Sequence, residues 1–212
     1  MSGGEQSPPP RRRTLDLVDE NVEVGRWKLS LLRPRDAEAL LDEEAFEHEE
    51  FLPYWAELWP SAVALARAVS ALDVGGRRVL ELGCGLALPS LVAALDGADV
   101  LATDWSPDAL TLARTNAERN GVRLETALVA WGDPAPLIEL APWDLVLGAD
   151  LLYERRNVEQ LLELLPQLGS EVLLADPGRP LEPEFLERAH SRWQIESRPA
   201  GIARVRLHSL RR

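Results

Sequence analysis

The first apolar pattern in the chain is short and strand-like. LDLV and then VEVGRWKLSLL, between Leu15 and Leu32, alternate apolar and polar positions around a polar Asp-Glu-Asn triplet. That pattern predicts a two-stranded element turning at the triplet. From Asp36 to Glu50 the apolar positions Ala39, Leu40, Leu41, Ala45 and Phe46 recur at roughly helical spacing among eight acidic residues and no basic one. One amphipathic helix with an acidic face is expected here, either as a solvated surface or as a docking surface for a basic segment.

Beyond residue 60 the period switches repeatedly between 3.6 and 2. Ser61–Leu72 reads as a helix, RVLEL (78–82) as a buried strand, Leu88–Leu95 as a helix and DVLAT (99–103) as a second strand. Ser106 is the natural N-cap of a helix that has Pro107 just inside its start and Gly121 as its stop. LETALVAW (124–131) and DLVLGA (144–149) follow as strands, then a helix from Asn157 to Leu168, EVLLA (171–175), and a helix over Pro183–His190. WQIES (193–197) and ARVRLHSL (203–210) close the chain as a strand pair. Alternating helices and strands predict an α/β domain, a largely parallel sheet with helices on both faces and an antiparallel hairpin at its end. The expected division is a disordered tail over 1–13, rich in Pro, Gly and Arg, and one domain over 14–212, made of an extension (14–60) and a core (61–212).

Composition narrows the function. The 212 residues carry 23 basic and 35 acidic side chains, a net charge of −12, which argues against nucleic acid because phosphate binding needs a basic face. A single cysteine, Cys84, and three histidines provide no tetrahedral zinc set, so no metal is expected. No apolar run approaches the roughly 20 residues of a membrane span, and no leader-like stretch opens the chain, so the expected compartment is the cytoplasm.

The most informative stretch is VLELGCGLALPSL, residues 79–91, where a buried strand runs through Gly83-Cys84-Gly85 into a helix. Glycines at such a turn let a ligand approach the main chain closely. Leu88 stands where a dinucleotide fingerprint has its third glycine, which points to a ligand without a pyrophosphate and away from a nicotinamide dehydrogenase. Asp104 ends the next strand, 21 residues beyond Gly83, the separation at which a carboxylate accepts ribose hydroxyls. Glu81 suits a cationic amino group. An amino acid joined to a nucleoside satisfies both ends, and S-adenosylmethionine is such a molecule.

These residues resemble the class I, seven-strand S-adenosylmethionine-dependent methyltransferases with a Rossmann-like sheet. The chain is similar in particular to the protein-lysine group related to the electron transfer flavoprotein β-subunit lysine methyltransferase. The resemblance rests on Pro53-Tyr54-Trp55-Ala56, Trp59-Pro60, the Glu81–Gly85 loop, Asp104, Trp131-Gly132, Asp150-Leu151-Leu152-Tyr153 and Asp176-Pro177-Gly178-Arg179-Pro180. It implies that Trp59 packs near the methionine end of the cofactor and that Gly83, Cys84 and Gly85 contact its amino-acid part. Asp104 with Trp105 would hold the ribose, Trp131 the adenine, and Ala149 would line the pocket. Asp150 and Tyr153 would flank the mouth where the target amine enters, as the catalytic pair. Arg179 would either meet an acidic group of the substrate or cap the end of its strand.

The reaction implied is an in-line methyl transfer from a sulfonium to an amine, which depends on alignment more than on acid–base groups. The expected function is protein-lysine N-methylation by a monomer acting on a protein substrate. A small-molecule N-methyltransferase and a non-catalytic module that binds the same cofactor are the alternatives.

Overall fold

The computed structural model describes residues 15–37, Leu40 and 54–212; the expected tail over 1–13, Pro53 and most of the acidic segment 36–50 lie outside the described residues. Strands β1 (Leu17–Val24) and β2 (Trp27–Pro34) form an antiparallel hairpin with Leu17 opposite Pro34 and Val24 opposite Trp27. Asp19, Glu20 and Asn21 lie within β1, not at a turn. The reversal occurs at Gly25-Arg26, where Gly25 takes φ +56°. Polar side chains on the outward positions of a half-buried strand imitate a turn in sequence; the backbone reverses where glycine admits a positive φ.

After a short 3₁₀ turn at Tyr54–Ala56, the core runs α1 (Pro60–Val69), β3 (Arg78–Leu82), α2 (Leu88–Leu95), β4 (Asp99–Asp104), α3 (Pro107–Arg119) and β5 (Glu125–Leu128). It continues through α4 (Ala135–Glu139), β6 (Leu145–Ala149), α5 (Arg155–Leu168), β7 (Glu171–Asp176), α6 (Glu182–Ala189), β8 (Gln194–Pro199) and β9 (Arg206–Arg211). The seven-stranded sheet has the order β5-β4-β3-β6-β7-β9-β8. Strands β3 to β7 are parallel, and β9 pairs antiparallel with both β7 and β8. The Ser106 side chain accepts the Ala109 N–H, capping α3 as its sequence predicts.

Period-2 alternation divides the core between the two faces of the sheet. Val79, Leu145, Leu147, Leu173 and Leu207 pack with α1, α2 and the hairpin residues Leu29 and Leu31. Leu80, Leu82, Val146, Val172 and Leu174 pack with α5 and α6 around Leu161, Leu165 and Phe185. Strand β5 is shorter than the 124–131 expected: after Val129 donates to the Asp104 carbonyl, Ala130 and Asp133 close a turn. β5 is an edge strand, with no neighbour on its far side to keep Ala130 and Trp131 extended.

The hairpin is held to the core by side chains that act as a strand. Asn116 on α3 accepts the Leu32 N–H at 2.7 Å and donates to the Leu32 carbonyl at 3.2 Å. One helical turn later, Asn120 pairs with Ser30 N–H and carbonyl at 3.0 and 2.9 Å. Residues i and i+4 of a helix and i and i+2 of a strand are spaced by about 6 Å each, so the two amides meet alternate residues of β2.

Candidate functional site

The chain enters the sheet at its centre, builds toward β5, and crosses back to β6 beside β3. Such a reversal leaves a crevice beyond the carboxyl ends of the strands. A cavity of about 660 Å³ occupies it. Gly83, Gly85, Asp104, Trp105, Trp131, Ala149, Asp150, Tyr153 and Trp59, all expected at the site, line this cavity.

The floor is the β3–α2 loop. Gly83 takes φ +61°, and a Cβ there would stand 3.0 Å from Leu151 Cδ2 and 3.6 Å from Trp131 Cζ2. At Gly85, φ +50°, a Cβ would stand 3.1 Å from the Trp55 carbonyl oxygen. Ala87 is also left-handed, φ +61°, and heads α2 without a side chain able to cap it. Asp104 is bonded to the loop from below: Oδ2 accepts the Gly85 N–H and Oδ1 the Ser106 N–H, both at 2.9 Å. Burial raises its carboxyl above the usual range, opposed by the backbone N–H groups of Ser106, Gly85 and Trp105. A carboxylate has about four lone-pair sites, so a ligand hydroxyl can still be accepted beside these donors.

Two expected residues stand elsewhere. Strand alternation turns Glu81 to the α2 side of the sheet, 1% exposed, where Oε2 accepts the Ser90 N–H at 2.9 Å and the Ser90 hydroxyl. It satisfies a free N–H in the first turn of α2 that Ala87 leaves uncapped, and it does not line the cavity. Burial pushes its carboxyl up to about 8. Cys84 points into a small cluster with Ala87, Ala102, Leu110 and Ala113, and burial raises its thiol further. Its contribution is the backbone, whose N–H bonds the Thr103 carbonyl at 2.9 Å.

The opposite side of the cavity is aromatic and charged. The Trp59 Nε1–H donates to the Tyr54 carbonyl at 2.7 Å, closing the turn ahead of α1. The Tyr54 ring lies 6.4 Å from Trp59 and 5.4 Å from Tyr153, centroid to centroid. Burial raises the Tyr153 phenol, which stays protonated. Asp150 follows β6 at φ +59°, its N–H bonded to the Ala175 carbonyl at 2.8 Å. Arg179 Nε donates to Asp150 Oδ1 at 2.6 Å, and its guanidinium lies 5.7 Å from the Trp59 ring centre. In the structure the Arg179 side chain is thus paired with Asp150, and its backbone N–H bonds Asp176 at the end of β7.

Some lining residues had no sequence signal of their own. Arg156, Asn157 and Gln160 project from the first turns of α5, and Glu57 from the segment before α1. The i, i+4 spacing of Arg156 and Gln160 just after Tyr153 places both on one helix face, the signal that would have found them.

A seven-stranded sheet in this order, with a glycine loop after its first strand and a carboxylate after its second, defines a Rossmann-like methyltransferase fold. The T. thermophilus 16S rRNA N2 G1207 methyltransferase, in complex with AdoMet and guanosine, shares it with a TM-score of 0.69 at 15% identity over 98% of this chain and 53% of that one. A family model described as lysine methyltransferase matches residues 49–180, and the chain belongs to that family. It is 37% identical over 138 residues, 60% of this chain and 51% of the other, to the electron transfer flavoprotein beta subunit lysine methyltransferase of Danio rerio. It is 35% identical over 115 residues, 51% of this chain and 49% of the other, to the histone-arginine methyltransferase METTL23 of Xenopus laevis. The chain thus spans about half the length of these curated relatives.

Proposed function

We propose that this protein binds S-adenosylmethionine and transfers its methyl group to the side-chain nitrogen of a lysine in a protein substrate. The observation that carries the reading is one cavity joining the Gly83–Gly85 loop and Asp104 to Tyr54, Asp150 and Tyr153. Strand spacing separates the ends of β4 and β6 by about 10 Å, room for a nucleoside at Asp104 and a reacting methyl group near Asp150.

The residues present fit that ligand. The cradle over Gly83 and Gly85 is one that a Cβ would fill, and it suits the amino-acid end. Asp104 offers its remaining lone pairs to the ribose hydroxyls, with Trp105 beside it; Trp131 offers a ring face to the adenine, and Ala149 leaves space between β6 and the ligand. Trp59 stands at the methionine end. When bound, the sulfonium supplies an electrophilic methyl carbon. The chain's part is to hold that carbon and the amine in line, with aromatic rings excluding water and stabilising positive charge.

The name of the Danio relative suggests an electron transfer flavoprotein β-subunit as an acceptor to try first. Net charge and the matched family support a protein partner rather than nucleic acid. Among the described residues no helix is long and apolar enough to cross a membrane, and we place the protein in the cytoplasm as a monomer. The division into a 14–60 extension and a 61–212 core is part of the same proposal.

The test is transfer of a radiolabelled methyl group to recombinant electron transfer flavoprotein and to a cell extract, with Asp104→Ala as control. A labelled band that yields methyllysine on digestion and is absent in the control supports the reading. Label found in methylarginine or in small molecules, or no label despite cofactor binding, overturns it.

A further inference from the structure

A lysine amine has an ordinary pKa near 10.4, so at neutral pH nearly all of it is protonated and has no lone pair to attack with. A carboxylate at the mouth both helps and hinders. It can accept the amine N–H groups and aim the lone pair, but an unpaired carboxylate within about 4–6 Å would raise the amine pKa by roughly 1–3 units and hold it as ammonium.

The site contains the counterweight. Arg179 is tied at both ends of its backbone: its N–H bonds Asp176 Oδ1 at 2.7 Å, and its carbonyl accepts the Glu182 N–H at 3.0 Å. The neighbouring Gly178 N–H bonds the same Asp176 oxygen at 2.8 Å. Thus fixed, the side chain reaches Asp150 with Nε on Oδ1, while Asp150 is itself only 8% exposed. The described hydrogen bonds engage Oδ1 and leave Oδ2 for a substrate donor. Other charges facing this point are Asp176 behind Arg179, Glu57 before α1, Glu154 and Arg156 at the start of α5, and Asp104 across the cavity; burial keeps the Tyr153 phenol protonated.

We infer that Arg179 is a positioning residue that cancels the charge of Asp150, so that the carboxylate orients the acceptor amine without retaining it as an ammonium ion. The inference rests on the lysine reading above. In the step it serves, the amine first gives its extra proton to water. Its lone pair then forms the C–N bond as the C–S bond breaks, the C–S electron pair stays on sulfur, and the methylated nitrogen later sheds a proton to solvent.

The experiment is the pH dependence of kcat and KM, from pH 6.5 to 10, for the wild type, Arg179→Met, Arg179→Lys and the double variant Asp150→Asn with Arg179→Met. The acceptor is the protein that the wild type labels most strongly. Asparagine tolerates the left-handed conformation of position 150, so the double variant removes both charges without new backbone strain. In Arg179→Met the acid limb of kcat is expected to move up by about one unit, a loss of about tenfold at pH 7 that closes toward pH 10. Arg179→Lys should keep the wild-type limb, and the double variant should return to it at lower amplitude. A loss that is the same at every pH, or a lysine variant that behaves like the methionine one, overturns the inference and leaves the lysine reading intact. A wild type that binds cofactor and labels no protein at any pH removes both. Calorimetric cofactor binding reports folding; if Arg179→Met fails it, Arg179→Lys against Arg179→Gln decides by the same criterion.

Discussion

Asp104 Oδ2 accepts the Gly85 N–H at 2.9 Å, so the carboxylate proposed to hold the ribose also holds the loop proposed to hold the amino-acid end. The two halves of the proposed cofactor site therefore share one side chain. Asp104→Ala removes the acceptor of both Gly85 and Ser106 N–H groups as well as the proposed ribose contact. Lost hydrogen bonds to a charged group amount to about 1.5–3 kcal/mol each, so S-adenosylmethionine affinity should fall by about 100-fold or more. Isothermal calorimetry checks this; a dissociation constant within threefold of wild type would place the ribose elsewhere.

Gly83 and Gly121 offer a matched pair. Both have positive φ, +61° and +69°, but a Cβ at Gly83 meets Leu151 and Trp131 whereas nothing lies within 4 Å at Gly121. Each alanine substitution should cost about 1–2 kcal/mol of stability for the left-handed backbone. Only Gly83→Ala should also weaken cofactor binding, by at least tenfold. Equal cofactor affinities in the two variants would show that the loop is not the ligand cradle.

The hairpin's attachment is testable at Asn116, which is fully buried. Asn116→Ala leaves the Leu32 N–H and carbonyl without partners, a cost of about 1–3 kcal/mol, and Asn116→Asp keeps an acceptor but loses the donor. Amide hydrogen exchange should accelerate most at Leu32 in Asn116→Ala, and most at Ser30 in Asn120→Ala. Unchanged protection would mean that apolar packing of Leu29 and Leu31 suffices.

Glu81 has a stability signature in pH. Its folded carboxyl is near 8 against an ordinary 4.5, so between those values the folded chain holds a proton that the unfolded chain has lost. Stability from this group is full below 4.5 and declines as pH rises to 8. His208, buried and lowered from 6.5 to about 4 by burial and by Arg206, acts in the opposite sense: its contribution is full above 6.5 and is lost as pH falls to 4. The Glu81 slope is therefore cleanest from pH 6.5 to 8. Urea titrations should show Glu81→Gln flatter than wild type over that interval; parallel curves would refute a protonated Glu81.

Much of this protein was legible in the chain alone. Strand β3 and helix α2 fall on the residues their patterns mark, because a short run with three buried apolar residues, Val79, Leu80 and Leu82, and an apolar helix between Gly and Gly leave few alternatives. That Gly83, Gly85 and Asp104 come together at one cavity was legible because it depends on backbone freedom and on a spacing set by one β–α–β unit. Where local chemistry was ambiguous the sequence misled: the polar triplet in β1 resembled a turn, and Ala130 and Trp131 resembled a strand that has no outer neighbour to extend it.

What the sequence by itself determined is the alternation of strands and helices, the glycine loop after β3 and the acidic residue at the end of β4 that bonds to it, all consequences of short-range periodicity and steric freedom. Only the tertiary structure decided the partners of the charged side chains. Glu81 caps α2 instead of lining the cavity because strand alternation sends it to that face. Asp150 and Arg179, 29 residues apart, meet because β6 and β7 are neighbours in the sheet. Hydrogen bonds act over about 3 Å of space, and which side chains come that close is a property of strand order, which no local pattern encodes.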